Sequence, residues 1–380
     1  MLPKKLQLKI DKRIEENALR SLGKPNDLID FSSNDYLGFS ASEAIYTRTL
    51  EILKVSKLAV NGATGSRLLS GNHALYETTE AAIAKFHNTE SALIFNSGYS
   101  ANIGFFSSVP QRGDIILYDE LCHASIREGI QLSSANAYKF KHNDLDAIEK
   151  KLLVRAQANT ENEEIYVVTE AVFSMDGDQP DLALMIALCK KHGCRLIVDE
   201  AHAVGVINAG RGALYAVEAA NEVFARIVTF GKAMGCHGAA ILGSATLIKY
   251  LVNFTRSFIY TTGLPPHNVA TVQAAYEELE KSSHMVELLK RNIDLLRLVI
   301  QERSLEEHFI SSGSAIHSCV IRGNDRVKEA SKLLAENGFD AKAIVSPTVP
   351  RGQERLRLCV HSFNTEEEIT KLVELIATFV

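Results

Sequence analysis

A chain of 380 residues, 46% hydrophobic and 23% charged, has the apolar material for a large core and the length for two domains. Its net charge of -5 leaves no basic face for nucleic acid and no polybasic anchor for a membrane. No apolar run reaches spanning length and the charged start does not suit a signal peptide. Six scattered cysteines without a Cys-x-x-Cys pair fit free thiols in a reducing cytoplasm.

Leu6, Ile10, Ile14, Ala18 and Leu22 recur every four residues among Lys, Arg and Glu, which predicts an amphipathic helix over 4–22, lying on the body or on a partner subunit. A Gly-Lys-Pro-Asn-Asp turn follows, then a short strand at 28–31 and a polar loop to Gly38. The glycine-rich stretch from Val60 to His73 suits plain turns or a wrapped phosphate. A helix at 75–86 and a buried strand at 91–95 come next. Asn96 to Asn102 closes that strand and opens a helix, so Gly98, Tyr99 and Ser100 offer backbone N–H groups where a phosphate binds well.

Strands at 114–118, 137–140, 164–169 and 195–199 then alternate with helices at 126–132, 145–153 and 182–192. Two short apolar runs, 227–230 and 239–242, read as buried strands. After the break at 260–267 one long helix is expected from about 268 to 303. Residues 315–380 read as a small α/β unit with strands at 315–321, near 341 and at 355–360, and helices at 326–337 and 365–379. Repeated βα units with apolar strands predict an α/β fold on a mainly parallel sheet covered on both faces.

Between the two runs, among Gly231, Gly235 and Gly238, sits Lys232. Near a packed core its ammonium loses hydration, which favours a neutral, nucleophilic amine able to form a Schiff base. Taken alone, the residue reads first as a turn lysine whose head reaches water. Asp199 ends a buried strand upstream, with His202 just beyond it. An acid for a pyridine nitrogen and a lysine for an aldehyde are what a pyridoxal phosphate site needs. His123, Glu170, Ser174, Asp199, His202, Thr229 and Lys232 all fall at or just after predicted strand ends, where ligands gather in such sheets. Asp199-Glu-Ala-His202 also spells a helicase box, but the Gly-x-x-x-x-Gly-Lys-Ser/Thr loop that an NTPase needs is missing upstream. No metal-ligand spacing emerges from the cysteines and histidines, and Arg20 by itself reads as a solvated charge.

The blocks Phe31-Ser-Ser-Asn-Asp-Tyr-Leu-Gly38, Gly65-Ser-Arg67, Ser97-Gly-Tyr-Ser-Ala-Asn102, His123-Ala-Ser125 and Val168 to Asp178 stand in one order with Asp199, His202 and Thr229-Phe-Gly-Lys232. Together with Ser346-Pro-Thr-Val-Pro350 and Arg355-Leu-Arg357 they resemble the α-oxoamine synthases, fold type I pyridoxal phosphate enzymes, over nearly the whole chain. The resemblance implies an N-terminal segment at 1–40, a large cofactor domain with a mainly parallel seven-stranded sheet at 41–265, and a connecting helix with a small α/β domain at 266–380. It implies that Lys232 is the Schiff-base lysine, Asp199 the partner of the pyridine nitrogen, and His123 the ring stacked on the cofactor. His202 and Ser174 would lie near its phenolic oxygen, and Gly98, Tyr99 and Thr229 at its phosphate. Thr261 and Thr262 would serve the phosphate of the neighbouring subunit's site in a homodimer. Arg357 matches the arginine that binds the amino acid carboxylate, and Arg20, Asn34, Glu170 and Thr348 fall among substrate contacts. The segments at 32–38 and 173–178 look most like the branch that condenses L-alanine with a pimeloyl thioester, on CoA or a carrier protein, to give 8-amino-7-oxononanoate. Val345 stands where some relatives place an arginine, and the linker at 20–31 is shorter than in many. Sister branches using glycine with acetyl- or succinyl-CoA, or serine with palmitoyl-CoA, therefore remain open.

Overall fold

The computed structural model describes residues 2–23, 26–156 and 163–380, so part of the turn expected after Leu22 lies outside the described residues. In chain order the elements begin with α1 (Lys4–Glu15), β1 (Ile29–Asp30), α2 (Glu43–Ser56), α3 (Ala74–Phe86), β2 (Ser91–Phe95), α4 (Gly98–Ser108) and β3 (Ile115–Asp119). They continue with α5 (Ala124–Gln131), β4 (Asn136–Phe140), α6 (Leu145–Ala156), β5 (Ile165–Glu170), α7 (Leu182–His192), β6 (Arg195–Asp199), β7 (Ala225–Thr229) and β8 (Ala239–Gly243). Then follow α8 (Ala245–Phe254), α9 (Arg256–Ile259), α10 (Pro266–Lys281), α11 (Ser283–Glu302), β9 (Ile316–Val320), α12 (Asn324–Glu336), β10 (Phe339–Asp340), β11 (Lys342–Ile344), β12 (Arg355–Cys359) and α13 (Glu366–Ile376). Two compact units result: Asp35–Ser174 with Gln179–Glu287, and Met1–Asn34 with Met175–Asp178 and Leu288–Val380.

The larger unit is built on a seven-stranded sheet in the order β2-β8-β7-β6-β5-β3-β4. Strands β4, β3, β5, β6 and β7 run parallel, as the alternation of strands and helices predicts. β8 is antiparallel to both β7 and β2. The chain between β7 and β8 spans only residues 230–238, too short for the crossover that a parallel pair requires, so the strand must reverse. One face carries Phe95, Phe105, Phe106, Ile116, Ile126, Val168, Ile197, Ile227 and Ile241 in a single buried cluster. Each such side chain contributes roughly 1.5–3 kcal/mol on leaving water, so the cluster fixes the sheet firmly. At the far edge β4 leaves Asn136 to Lys139 exposed and buries only Phe140.

The smaller unit holds an antiparallel three-stranded sheet, β11-β12-β9, and the parallel pair β1-β10. Val327, Ala330 and Leu334 of α12 and Ile369, Leu372, Val373 and Ile376 of α13 are its buried helical stripes. The helix expected at 4–22 ends at Glu15. Asn17 takes the left-handed conformation with φ 48°, and Lys328 Nζ donates to both its carbonyl and its Oδ1. The apolar stripe breaks there: Ala18 is buried while Leu22 is 97% exposed. The long helix expected over 268–303 is two helices. Ser282 separates them, and its hydroxyl donates to Glu278 Oε1 at 2.5 Å. Helices α2 and α8 escaped the sequence reading, although Ser42 and Ser244 cap them by accepting backbone N–H bonds.

Candidate active site

Parallel strands bring their carboxyl ends to one edge, and the registers align Glu170 of β5 with Asp199 of β6, and Asp199 with Ile227 of β7. Just beyond β7 the chain turns through Lys232. The turn is held by Cys236 N–H donating to Phe230 O at 2.7 Å and Gly235 N–H donating to Lys232 O at 2.8 Å. Gly235 has φ 62°, and a Cβ there would sit 2.2 Å from the Ser40 backbone nitrogen, so the turn requires glycine. Lys232 Nζ lies 2.6 Å from His202 Nε2, and the other ring nitrogen, Nδ1, lies 2.7 Å from the Tyr36 hydroxyl. Tyr36 is fully buried. The phenol hydroxyl and the lysine amine thus meet the two nitrogens of one imidazole.

Asp199 Oδ1 accepts the Ala201 N–H at 2.9 Å and its Oδ2 accepts Asn102 Nδ2 at 2.9 Å. Asn102 also donates to Ser125 Oγ at 3.0 Å, which lies 2.8 Å from His123 Nδ1. Burial holds the His123 ring below its ordinary pKa, with the nearby Lys232 charge adding to that and Asp199 opposing it. Glu170 is 3% exposed and accepts the His123 backbone N–H in a short contact. Burial, and next the Asp199 charge, push its carboxyl up to about 8.

The N-terminus of α4 carries a capping box in which Ser97 and Ser100 serve each other's backbone N–H. The first N–H groups of the helix, those of Gly98 and Tyr99, have no acceptor within it. Thr229 Oγ1 lies 3.6 Å from where a Cβ on Gly98 would stand. Asn96 Nδ2 donates to Thr261 Oγ1 at 3.1 Å and Thr262 O at 2.8 Å, bringing both threonines to this end of the sheet. The Tyr99 side chain is half exposed and donates to Glu128. Ser174 lies half-buried in the turn after β5. An amine, a buried carboxylate, two imidazoles and a capped helix N-terminus form a donor set that fits a phosphorylated pyridine aldehyde. Beside that carboxylate, Asn102 Oδ1 is buried without a hydrogen-bond partner among the described residues.

The other candidates belong to the smaller unit and form two pairs. Arg357 Nη2 donates to Asn34 Oδ1 at 3.0 Å, and Arg20 Nη2 donates to Thr348 Oγ1 at 3.1 Å. Next to the first pair on β12, Arg355 is buried against Asp176, a contact that no sequence signal announced. Tyr36, Asn102 and Ser125 were also given no role of their own from sequence, though each lies inside a block that carried the family resemblance. The helicase-like box has a structural purpose: Glu200 Oε2 accepts buried Arg226 Nε at 2.6 Å and Oε1 accepts the Leu214 N–H at 3.1 Å. Among the described residues no helix is long and apolar enough to cross a membrane.

The family model for aminotransferases of class I and II matches residues 26–376. An 8-amino-7-oxononanoate synthase from Emericella nidulans is 39% identical over 376 residues, covering 93% of this chain and 90% of that protein. Among solved structures, serine palmitoyltransferase from S. paucimobilis, with a PLP–myriocin aldimine bound, superposes with a TM-score of 0.88 at 24% identity, covering 99% and 96% of the two chains. The 8-amino-7-oxononanoate synthase from Francisella tularensis superposes with a TM-score of 0.76 at 28% identity, covering 93% and 98%. With one family model spanning nearly all of the chain and relatives this similar over most of their length, the chain belongs to the class I and II aminotransferase family, in its α-oxoamine synthase branch.

Proposed function

We propose that this chain joins L-alanine to a pimeloyl thioester, on CoA or on a carrier protein, giving 8-amino-7-oxononanoate, carbon dioxide and the free thiol. The chain is a pyridoxal phosphate-dependent C-acyltransferase. Pyridoxal phosphate, when bound, supplies an aldehyde for amines and an electron-withdrawing ring that makes a Cα proton removable. The observation that carries the reading is the Lys232 amine, 2.6 Å from His202 Nε2 at the end of the strand beside the one that closes on Asp199. A lysine held there serves as nucleophile and as base. In this reading Lys232 takes the aldehyde, Asp199 the ring nitrogen and His123 the ring face. His202 and Ser174 lie at the phenolic oxygen, and Gly98, Tyr99 and Thr229 at the phosphate. Thr261 and Thr262 reach the phosphate of a second subunit, so the working form is a homodimer.

Asp199, steadied by Asn102, keeps the ring nitrogen protonated. Arg357, beside Asn34, grips the alanine carboxylate with its planar fork. Lys232 Nζ takes the proton from alanine Cα. That carbon bonds to the thioester carbonyl carbon as the thiolate leaves and takes a proton from water, the alanine carboxylate departs as carbon dioxide, and Lys232 returns its proton to Cα. Glu170, whose buried carboxyl is raised to about 8, contacts the substrate, as do Arg20 and Thr348. Serine with a palmitoyl thioester is the second reading, since a serine palmitoyltransferase shares this fold. The 39% identity to an oxononanoate synthase supports alanine and pimeloyl over it. The deciding assay is thiol release by the cofactor-loaded protein, with L-alanine, glycine and L-serine each crossed against pimeloyl-, acetyl-, succinyl- and palmitoyl-CoA. Release with alanine and pimeloyl-CoA alone, with the amino ketone identified by mass, is expected. Turnover with serine and palmitoyl-CoA instead would move the chain to the sister branch.

A further inference from the structure

Of four hydrogen bonds behind the site, three have directions that chemistry dictates. The Asn102 side chain is 2% exposed, and its amide nitrogen can only donate. One hydrogen goes to Asp199 Oδ2 at 2.9 Å and the other to Ser125 Oγ at 3.0 Å. Turning the amide over would set its oxygen against a carboxylate, so this orientation is the one the surroundings enforce. Ser125 Oγ lies 2.8 Å from His123 Nδ1, and in that pair alone either atom could donate. The Ser125 backbone N–H points at the same nitrogen from 3.3 Å and cannot accept, so Nδ1 is the acceptor and the hydroxyl hydrogen turns toward it as well. Two donors therefore converge on Nδ1. A proton on that nitrogen would face both of them, so the ring's hydrogen sits on Nε2.

We propose that Asn102 and Ser125 are positioning residues that lock His123 as the neutral Nε2–H tautomer and, by the same amide, steady the Asp199 carboxylate. The role this serves rests on the reading above, in which His123 lies on the cofactor ring and Asp199 meets its nitrogen. A cationic imidazole laid on a protonated pyridine would be repelled by it, whereas a neutral one stacks without that penalty. The charged groups acting on His123 divide: Asp199 and Glu128 favour its protonation, while Lys232 and Arg127 oppose it. Burial, the largest influence, already holds the ring below its ordinary pKa, and the pair of donors from Ser125 decides which nitrogen carries the one remaining hydrogen. Asn102 is also a poor choice for stability alone, because its Oδ1 is buried with no hydrogen-bond partner among the described residues. An apolar side chain of that size would suit the core better, which points to the two donated bonds as its purpose.

The test reads the tautomer directly, by long-range proton–nitrogen NMR on the full chain with labelled histidine, free of cofactor, with the His123 signal identified by its loss in His123→Gln. Nε2–H with an unprotonated Nδ1 is expected in the parent protein. Ser125→Ala and Asn102→Leu should each admit the Nδ1–H or doubly protonated form and weaken pyridoxal phosphate binding about tenfold in a spectral titration. Their thermal unfolding without cofactor should stay close to that of the parent, and Ser125→Thr, which keeps the hydroxyl, should restore both signals. A parent His123 protonated on Nδ1 at neutral pH would overturn the proposal. So would variants that keep both the tautomer and the cofactor affinity. Neither readout depends on which amino acid or thioester is turned over, so a wrong substrate assignment would leave this result standing.

Discussion

Lys232, His202 and Tyr36 form a chain of contacts at 2.6 and 2.7 Å in which the outermost member is a buried phenol. Removing that hydroxyl takes away the 2.7 Å contact at His202 Nδ1, at a cost of roughly 1–3 kcal/mol, and loosens the ring against which the lysine rests. Tyr36→Phe should therefore lower kcat by about tenfold, with cofactor still bound. An unchanged kcat would show that the phenol only fills space. Glu170 permits a prediction with a definite sign. Its carboxyl stands at about 8 in the folded chain against an ordinary 4.5, so the native state holds this proton more tightly than the unfolded state does. The stability it lends is whole below pH 4.5 and is lost as pH climbs through about 8. Glu170→Gln, which mimics the neutral acid, should flatten that decline, closing a gap on the order of a few kcal/mol in urea unfolding between about pH 5 and pH 9. Parallel slopes for parent and variant would mean that Glu170 is already ionised at neutral pH.

At the scale of elements, the turn between β7 and β8 sets where the lysine stands. Gly235→Ala would press a methyl carbon to within 2.2 Å of the Ser40 backbone. It should cost on the order of 2–3 kcal/mol in unfolding free energy and also lower cofactor retention, because the strained turn carries Lys232. Glu200→Ala should cost more, about 3–5 kcal/mol, since it strands the Arg226 guanidinium in the core. The strands and the strand-end residues were legible in the sequence because an interior parallel strand is buried on both faces and reads as one apolar run, as Leu196 to Val198 and Ile227 to Phe230 do. The places that misled are local competitions. A left-handed Asn17 ends α1 where a four-residue stripe ran on, and at Ser282 the backbone leaves the helical conformation, with φ -104° and ψ 41°, although the pattern continues across it. The supporting network was hidden for another reason. Nothing in the order of Asn102, Ser125 and Asp199 shows that folding will join them by hydrogen bonds, and Arg355 gives no hint that Asp176 will be its partner.

For the molecule as a whole, the proposed placement of Thr261 and Thr262 on a neighbouring subunit's phosphate predicts complementation. Lys232→Ala and a Thr261→Ala/Thr262→Ala double variant should each be inactive. Mixed and allowed to exchange subunits, they should recover about a quarter of parent activity, since half the dimers are then mixed and each holds one intact site. No recovery from demonstrably mixed dimers would place both threonines in their own subunit's site. The sheet that supports this chemistry also has an end to guard. β4 is its outermost strand, with Asn136 to Lys139 facing solvent and Tyr138 among the exposed aromatics. An open strand edge invites copies of the chain to add on and grow into aggregates, and a lysine in its middle opposes that by charge repulsion and by the cost of dehydrating it. Lys139→Val would set Val beside Tyr138 on that edge, and concentrated solutions of the variant should turn turbid on mild warming well before the parent does, although the catalytic groups are untouched.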